Sequence, residues 1–431
     1  MSGNPGLPGR GNGTATRIAE LALLPVRSGG LSEDHNRETP QRGLSICMVS
    51  DDFLPAATGC GVVVQWAARE LVKRGHSVSV VTSRRRGQPG LETWHGVRVH
   101  RTFSIRLYGY HQALPRQSAL RRILNENDFD IIHYHYLFVL LMRMRAAAAS
   151  MRARHVYTYH MTVDLLTQPL LMKPFRRVIF RRHVEYCNRF DLILAPSAHL
   201  VEQIREYGIT TRTEYLSNPI VFDSRAEQPR SREDGPFVVL FVGRLSPEKN
   251  LPYLIRAFAG LVRQQPCSEL RIVGEGREKS RLMRLASKLG LERQVKFLGF
   301  IENSLLVPHY VAADVFVLPS LSETQGLVAL EAMWFAKPVI VTNRIVAARE
   351  LVEDGRNGFI VDPDSVKDLT GKLALLSRDP GLARELGQEG QRLAGRYSPE
   401  QIIGRLERHY LDLVRDGCQR EKLHILLDPG N

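Results

Sequence analysis

Two carboxylates, Glu323 and Glu331, and two cations, Arg244 and Lys249, are the side chains whose types and spacing best suit chemistry. The segment Glu323-Thr-Gln-Gly-Leu-Val-Ala-Leu-Glu331 reads as a loop that ends where a helix begins. The first backbone N–H groups of a helix point outward at the positive end of its dipole, an arrangement that holds anions. Glu323 precedes the helix and Glu331 lies about a turn and a half inside it, so both can face one ligand. A carboxylate accepts two hydrogen bonds at once, which suits the vicinal hydroxyls of a ribose or a hexose. Upstream, in Phe241-Val-Gly-Arg-Leu-Ser-Pro-Glu-Lys249, a strand ends at Val242 and Gly243 lets a ligand approach the backbone. Arg244 then offers a two-pronged donor for a phosphate and Lys249 a point charge, and together they can neutralise a diphosphate leaving group. Taken singly, these groups also fit plainer roles: a solvated basic turn, a helix-capping Glu323, a solvent-facing Glu331.

The elements that must position these residues are readable from hydrophobic patterning. Leu44-Ser-Ile-Cys-Met-Val-Ser50 is a continuous apolar run of the kind found in buried parallel strands. The glycine-containing turn Thr58-Gly-Cys-Gly61 follows. A helix over Val62 to Arg74 comes next, with Val63, Trp66, Ala67, Leu71 and Val72 at helical spacing, then a stop at Gly75 and a strand over Ser77 to Thr82. Short β-prone runs recur at Asp130 to His133, His155 to His160, Asp191 to Ala195 and Thr213 to Leu216, most of them a helix-length apart. A polar stretch between Pro219 and Pro236 reads as a linker. A second series then places strands at Phe237 to Val242, Glu269 to Val273, Val295 to Leu298, Val315 to Pro319 and Pro338 to Val341. Its helices fall at Pro252 to Gln264, Arg277 to Leu289 and Leu327 to Phe335.

Alternation of this kind predicts an α/β fold of two Rossmann-like, doubly wound parallel-sheet domains facing across a cleft. Ligands in such folds bind at the carboxyl ends of the strands. The expected organisation is a flexible basic tail over 1–42, a first domain over 43–222, a linker over 223–236 and a second domain over 237–398. Residues 399–431 complete the chain as a helix and tail. Ile402, Leu406, Tyr410 and Leu413 form one face of the amphipathic stretch Pro399 to Val414, which is expected to cross back onto the first domain.

At 431 residues the chain exceeds the size at which a single core keeps growing, again predicting two domains. Hydrophobic residues make up 43% and charged residues 24%, which excludes disordered and fibrous classes. A net charge of +14 attracts polyanions and leaves nucleic acid, an anionic membrane surface and phosphorylated small molecules open. No run approaches the roughly 20 apolar residues of a membrane span, so any membrane contact is expected to be peripheral. Leu21 to Val26 is too short and poorly flanked for a secretion signal, which makes the cytoplasm the expected location. The five cysteines are widely spaced and suggest neither a disulfide framework nor a zinc site. His133 and His135 share a strand face, yet no further ligand stands at a suitable spacing. The Asp-x-Asp pairs Asp128/Asp130 and Asp362/Asp364 do not suit two Rossmann halves, so no metal is expected.

Gly243-Arg244 with Lys249, the Glu-x7-Glu pair Glu323 and Glu331, Lys337-Pro-Val-Ile340 and Glu350 to Gly358 together resemble the retaining GT-B glycosyltransferases of the family 4-like group. The resemblance spans roughly residues 43 to 415. It implies Arg244 and Lys249 on the donor diphosphate, Glu323 on the donor-sugar hydroxyls and Glu331 on the nucleotide ribose. Backbone N–H groups of Gln325, Gly326 and Leu327 would hold the sugar and phosphate. Gly274-Glu-Gly276 matches the family's strand-end turn, and Phe300-Ile301 lies where the nucleobase stacks. Gly59 and Gly61 look like the acceptor-side loop, with Cys60 interrupting the family's adjacent glycines. His160 resembles the active-site histidine that stabilises an oxocarbenium-like transition state; as a lone histidine it also fits a hydrogen-bonded structural role. No cofactor is implied beyond the nucleotide-sugar co-substrate. A carboxylate nucleophile such as Asp164 and a same-face route both remain open, with the same-face route favoured.

The segment Lys173 to His183 interleaves Arg176, Arg177, Arg181 and Arg182 with Phe175, Val178, Ile179 and Phe180. On a helix this makes a basic face beside an apolar one, suited to an anionic membrane surface; an ordinary helix with solvated arginines fits the pattern too. Arg84-Arg-Arg86 and Arg121-Arg122 add to the basic character of the first domain. Ser-Glu-Thr-Gln-Gly-Leu at 322–327 is similar to the diacylglycerol glucosyltransferases, which implies transfer of a hexose from UDP-glucose to a membrane lipid. The alternatives are a transferase acting on a lipid-linked oligosaccharide, polysaccharide precursor or soluble metabolite, and a Rossmann-scaffold nucleic-acid binder. An aromatic content of 7% and the four donor-side residues argue against the last.

Overall fold

The computed structural model describes residues 42–55, 59–107, 110–135, 139–160, 176–220, 222, 235–345 and 347–427. The first half runs β1 (Ser45–Val49), α1 (Gly59–Lys73), β2 (Ser77–Ser83), β3 (Leu91–Trp94), β4 (Val97–Thr102), β5 (Ser104–Leu107) and β6 (Tyr110–Ala113). It continues with α2 (Gln117–Asn125), β7 (Ile131–Tyr134), α3 (Val139–Ala147), β8 (Arg154–Thr158), α4 (Arg176–Cys187), β9 (Leu192–Ala195), α5 (Ala198–Glu206) and β10 (Thr213–Tyr215). Its main sheet has the order β10-β9-β8-β7-β1-β2-β4-β3 and is parallel except for β3, which pairs antiparallel with β4.

The apolar runs are strands because both faces are covered. Ile46 and Met48 of β1 pack into one buried cluster while Cys47 and Val49 enter another. That alternation explains why β1 is apolar from Ile46 to Val49 rather than alternating.

The second half begins with β11 (Phe237–Val242), α6 (Leu251–Val262), β12 (Ser268–Val273), α7 (Lys279–Lys288), β13 (Val295–Gly299) and α8 (Val307–Ala312). Then come β14 (Val315–Leu318), α9 (Leu327–Trp334), β15 (Val339–Thr342), α10 (Ala348–Leu351), β16 (Gly358–Val361), α11 (Val366–Arg378), α12 (Pro380–Ala394) and α13 (Pro399–Leu427). The six strands are parallel in the order β13-β12-β11-β14-β15-β16, around one large buried core. Strand order therefore reverses between β1 and β7 in the first sheet and between β11 and β14 in the second. Open α/β sheets bind ligands at the carboxyl side of such points.

Helix α13 returns to the first half: Ile402, Ile403, Leu406, Tyr410 and Leu413 share a buried cluster with β1, β2 and α1. Glu407 reinforces the return by pairing with Arg74 at 2.8 Å and His76 at 2.9 Å. Ile220 and Phe222, counted with the first domain from sequence, pack instead into the second core, Phe222 against Tyr310 and Phe335. Two further differences stand out. Gly59 and Gly61 open helix α1 rather than forming a turn before it, because the apolar ladder that anchors the helix, from Gly61 through Val63, Val64 and Ala67, starts there. The region 91–113, which sequence patterning left unassigned, holds four short strands.

Candidate active site

Both loops at the second sheet's switch point carry residues that the resemblance assigns to the donor. Past β11, a short helical turn at Pro247–Lys249 presents Lys249; past β14 comes the loop of Glu323. The backbone joins the loops, Leu321 N–H donating to the Glu248 carbonyl at 2.8 Å. Lys249 Nζ pairs with Glu323 Oε1, which also accepts from Ser320 Oγ at 2.9 Å. Both partners are mostly shielded, with side chains 15% and 17% exposed, so the pair holds a defined geometry rather than a solvated one. Arg244 is more open, 57% exposed, and lies 3.4 Å from Glu248.

Two glycines are required by geometry. Gly274 sits so close to the first loop that a Cβ there would lie 1.9 Å from the Gly243 carbonyl oxygen. Gly326 adopts φ +83°, a left-handed conformation that costs other residues, and thereby turns the loop into α9. Leu327 follows as the first helical residue. Gln325 is buried and its side chain faces the other half: Oε1 accepts from Asn218 Nδ2 at 2.9 Å and Nε2 donates to Ser217 Oγ. Its backbone stays within the Glu323 to Gly326 loop, so one residue ties that loop to the end of the first half.

Glu331 is not solvent-facing. It is 4% exposed on α9 and accepts a 2.6 Å hydrogen bond from the hydroxyl of Tyr310 on α8. Burial raises its pKa to about 7, with the Tyr310 hydrogen bond opposing that shift. Phe300 is 59% exposed beyond β13, as a ring offered to a planar ligand would be, whereas Ile301 packs against the core.

The first sheet's switch point brings together β1, β7 and β8. His133 on β7 hydrogen-bonds Tyr410 Oη on α13 through Nδ1 and Thr158 Oγ1 on β8 through Nε2, both at 2.6 Å. His135 follows β7, and its Nδ1 lies 3.2 Å from Nε2 of His160, two residues past β8. Burial lowers the pKa of His133 to about 3 and of His160 to about 4, the neighbouring His160 adding to the effect at His133. Cys60 of α1 approaches the His135 carbonyl at 4.0 Å, which brings the Gly59–Gly61 turn of helix to the same edge.

Sequence reasoning gave no role to three residues here. Asp51 follows β1, is 7% exposed, and accepts from Ala113 N–H at 2.7 Å; burial raises its pKa to about 7. Its position directly after the first strand was the available signal. Glu350 on α10 accepts from Ala198 N–H at 3.1 Å and His199 N–H at 2.9 Å, capping α5 of the other half. Tyr310, the partner of Glu331, carries no local signal. Asp164 lies outside the described residues.

On the exposed basic helix α4, Arg176, Arg177, Arg181 and Arg182 all face solvent. Glu185 is shared by Arg181 at 3.0 Å and Arg182 at 3.4 Å. Phe180 is half-buried with its ring edge-on to Tyr207 at 5.1 Å, so Val178, 61% exposed, is the apolar residue offered outward. No helix among the described residues is long and apolar enough to cross a membrane.

Two parallel Rossmann-like sheets, with a cation–carboxylate pair and a glycine-started helix at the second switch point, define a glycosyltransferase of the GT-B architecture. A model described as Glycosyltransferase Family 4 matches residues 57–223, and one described as Glycosyl transferases group 1 matches 223–393. The chain belongs to these glycosyltransferases, a family 4 domain followed by a group 1 domain. It is 25% identical over 400 residues to the alpha-monoglucosyldiacylglycerol synthase of Acholeplasma laidlawii, across 86% of this chain and 98% of that protein. Among solved structures, sucrose-phosphate synthase from Thermosynechococcus elongatus superimposes with a TM-score of 0.72 at 22% identity, over 86% of this chain and 100% of that one. Anabaena Alr3699/HepE in complex with UDP-glucose gives 0.69 at 23% identity, with the same coverage of both chains.

Proposed function

We propose that the protein is a retaining, metal-independent hexosyltransferase that moves glucose from UDP-glucose to a membrane lipid such as diacylglycerol. The observation that carries the reading is the Lys249–Glu323 pair beside the start of α9. Lys249 and Arg244 neutralise the diphosphate as it leaves, and Glu323 accepts from the hexose hydroxyls. The N–H groups of Gln325, Gly326 and Leu327 donate to sugar and phosphate, Glu331 accepts from the ribose, and Phe300 with Ile301 faces the base. The C1–O bond to the diphosphate breaks as the acceptor oxygen bonds C1 on the same face. The acceptor proton passes to a departing phosphate oxygen, and fixed donors at the leaving group supply most of the rate gain. His160 stands by the hexose from the first half, and Gly59 and Gly61 border the acceptor.

The lipid acceptor is supported by the similarity to the Acholeplasma laidlawii alpha-monoglucosyldiacylglycerol synthase and by the solvent-facing arginines of α4, which suit an anionic membrane surface. A soluble acceptor is the second reading, favoured by the half-buried state of Phe180 and by the sucrose-phosphate synthase likeness. A panel of nucleotide sugars, each assayed for hydrolysis and transfer with and without anionic diacylglycerol vesicles, separates the two. Vesicle-dependent consumption of UDP-glucose is expected; vesicle-independent transfer to a soluble sugar would favour the second.

A further inference from the structure

The three histidines at the first switch point form a continuous stack. The rings of His133 and His135 lie 4.1 Å apart, and those of His135 and His160 lie 5.5 Å apart and within 22° of parallel. The arrangement follows from strand geometry. Alternate residues share a face, so His133 on β7 and His135 just past it lie on one side. The parallel register sets His133 opposite Val156, so the side-chain contacts run diagonally to residues further along the chain, His133 to Thr158 at the end of β8 and His135 to His160 just past it.

The two ends of the stack differ. His133 is satisfied at both ring nitrogens, by Tyr410 and Thr158, so its ring is fixed. His135 is 3% exposed, and its Nε2 has no hydrogen-bond partner among the described residues. A buried polar atom without a partner costs stability that an apolar side chain of similar shape would not. Among the described residues, its ring contacts His160 Nε2 through Nδ1 at 3.2 Å, so the ring leans on His160.

We propose that His135 is a positioning residue that fixes the ring orientation of His160, backed by His133 and by Tyr410 of the C-terminal helix. The inference rests on the role given above to His160. One proton is shared between His135 Nδ1 and His160 Nε2, so holding one ring fixes which face and which nitrogen the other turns to the hexose. The hydrogen-bonding groups that contact them among the described residues include His133 on β7, Thr158 on β8, Tyr410 on α13 and Cys60 on α1. With burial disfavouring protonation, His160 meets a sugar developing positive charge as a neutral ring that does not repel it. Tyr410 gives α13 a part in catalysis at a distance, since its hydroxyl lies 277 positions along the chain from His133.

The test compares steady-state kinetics of H160A, H135F, H135Q and Y410F, together with the ring nitrogen shifts of His160 in 15N-histidine-labelled protein. H135F is expected to lower kcat about 10- to 100-fold, with the donor KM within about twofold and the His160 shifts altered. H135Q keeps a group able to hydrogen-bond His160 and should recover much of kcat, while Y410F should cost a few-fold. Unchanged kcat in H135F beside a collapsed H160A would overturn the positioning role alone. Equal losses in H135F and H135Q that track a lowered Tm would overturn it too, leaving a structural histidine. Full turnover in H160A would remove both this inference and the reading beneath it.

Discussion

The carboxyl edges of the two sheets are built from different materials. At the second, opposite charges are paired at the switch point, Lys249 with Glu323 and, more exposed, Arg244 with Glu248. At the first, His133 and His135 are buried and the partly exposed His160 lies against His135, and desolvation disfavours the charged form of all three. The difference follows the charge flow of the proposed reaction. A departing diphosphate gathers negative charge, which fixed cations stabilise, whereas the carbon it leaves becomes positive, and a cation nearby would oppose that. In the proposed reaction the two halves divide the electrostatics as well as the substrates.

The largest effect expected from breaking this division is on the donor side. Lys249→Ala should lower kcat for hexose transfer by about 10²- to 10³-fold, the magnitude for removing one stabilising donor from a leaving charge. Substrate binding should change less. Steady-state kinetics with a nucleotide-sugar donor checks it, and a loss confined to KM would mean that Lys249 binds the ground state only.

Glu331 sharpens the comparison, because it is a buried acid on the charged side. Its pKa is raised from 4.5 to about 7, so between those values the folded state holds a proton that the unfolded state has released. Its contribution to stability therefore worsens as pH rises through that window and is fully unfavourable above pH 7. Glu331→Gln, which keeps the Tyr310 hydrogen bond, should stabilise the protein by about 3 kcal/mol at pH 8 and by nothing near pH 4. Thermal unfolding across pH reads this out. A gain independent of pH would contradict it. Donor affinity should fall in the same variant, since the amide accepts less well from a ribose.

The smallest of the three concerns the tie between the halves. Gln325→Ala removes the partner of Asn218 and Ser217 and should destabilise by about 1–3 kcal/mol, as when buried polar groups lose a bond. Chemical denaturation measures the loss. A cost below that range would show that Ser217 and Asn218 re-pair with each other or with water.

The donor side is largely legible in sequence because its residues sit in two compact segments, 243–249 and 323–331, each bracketed by an unmistakable strand or helix. Strand order then brings the segments together without further information. The first half is harder to read. His133, His135 and His160 each look ordinary locally, and the hydroxyl that anchors the stack comes from Tyr410, far along the chain. Glu350 is similar: it caps α5 from 151 and 152 positions away, a contact that no local pattern encodes. The strands β3 to β6 escape a periodicity reading because they are four to six residues long and follow one another within one or two residues, with no helix between them. The resemblance supplies roles that spacing alone leaves open, and the burial of Glu331 sets aside the plainer alternative of a solvent-facing carboxylate.

The division of labour between the halves is tested most directly by following label from UDP-[14C]glucose into solvent-extractable lipid, using the purified protein with anionic vesicles that contain diacylglycerol. Label in the lipid fraction that disappears with Lys249→Ala is the expected result. Label found only in soluble products, or lipid labelling that survives the loss of Lys249, would contradict it.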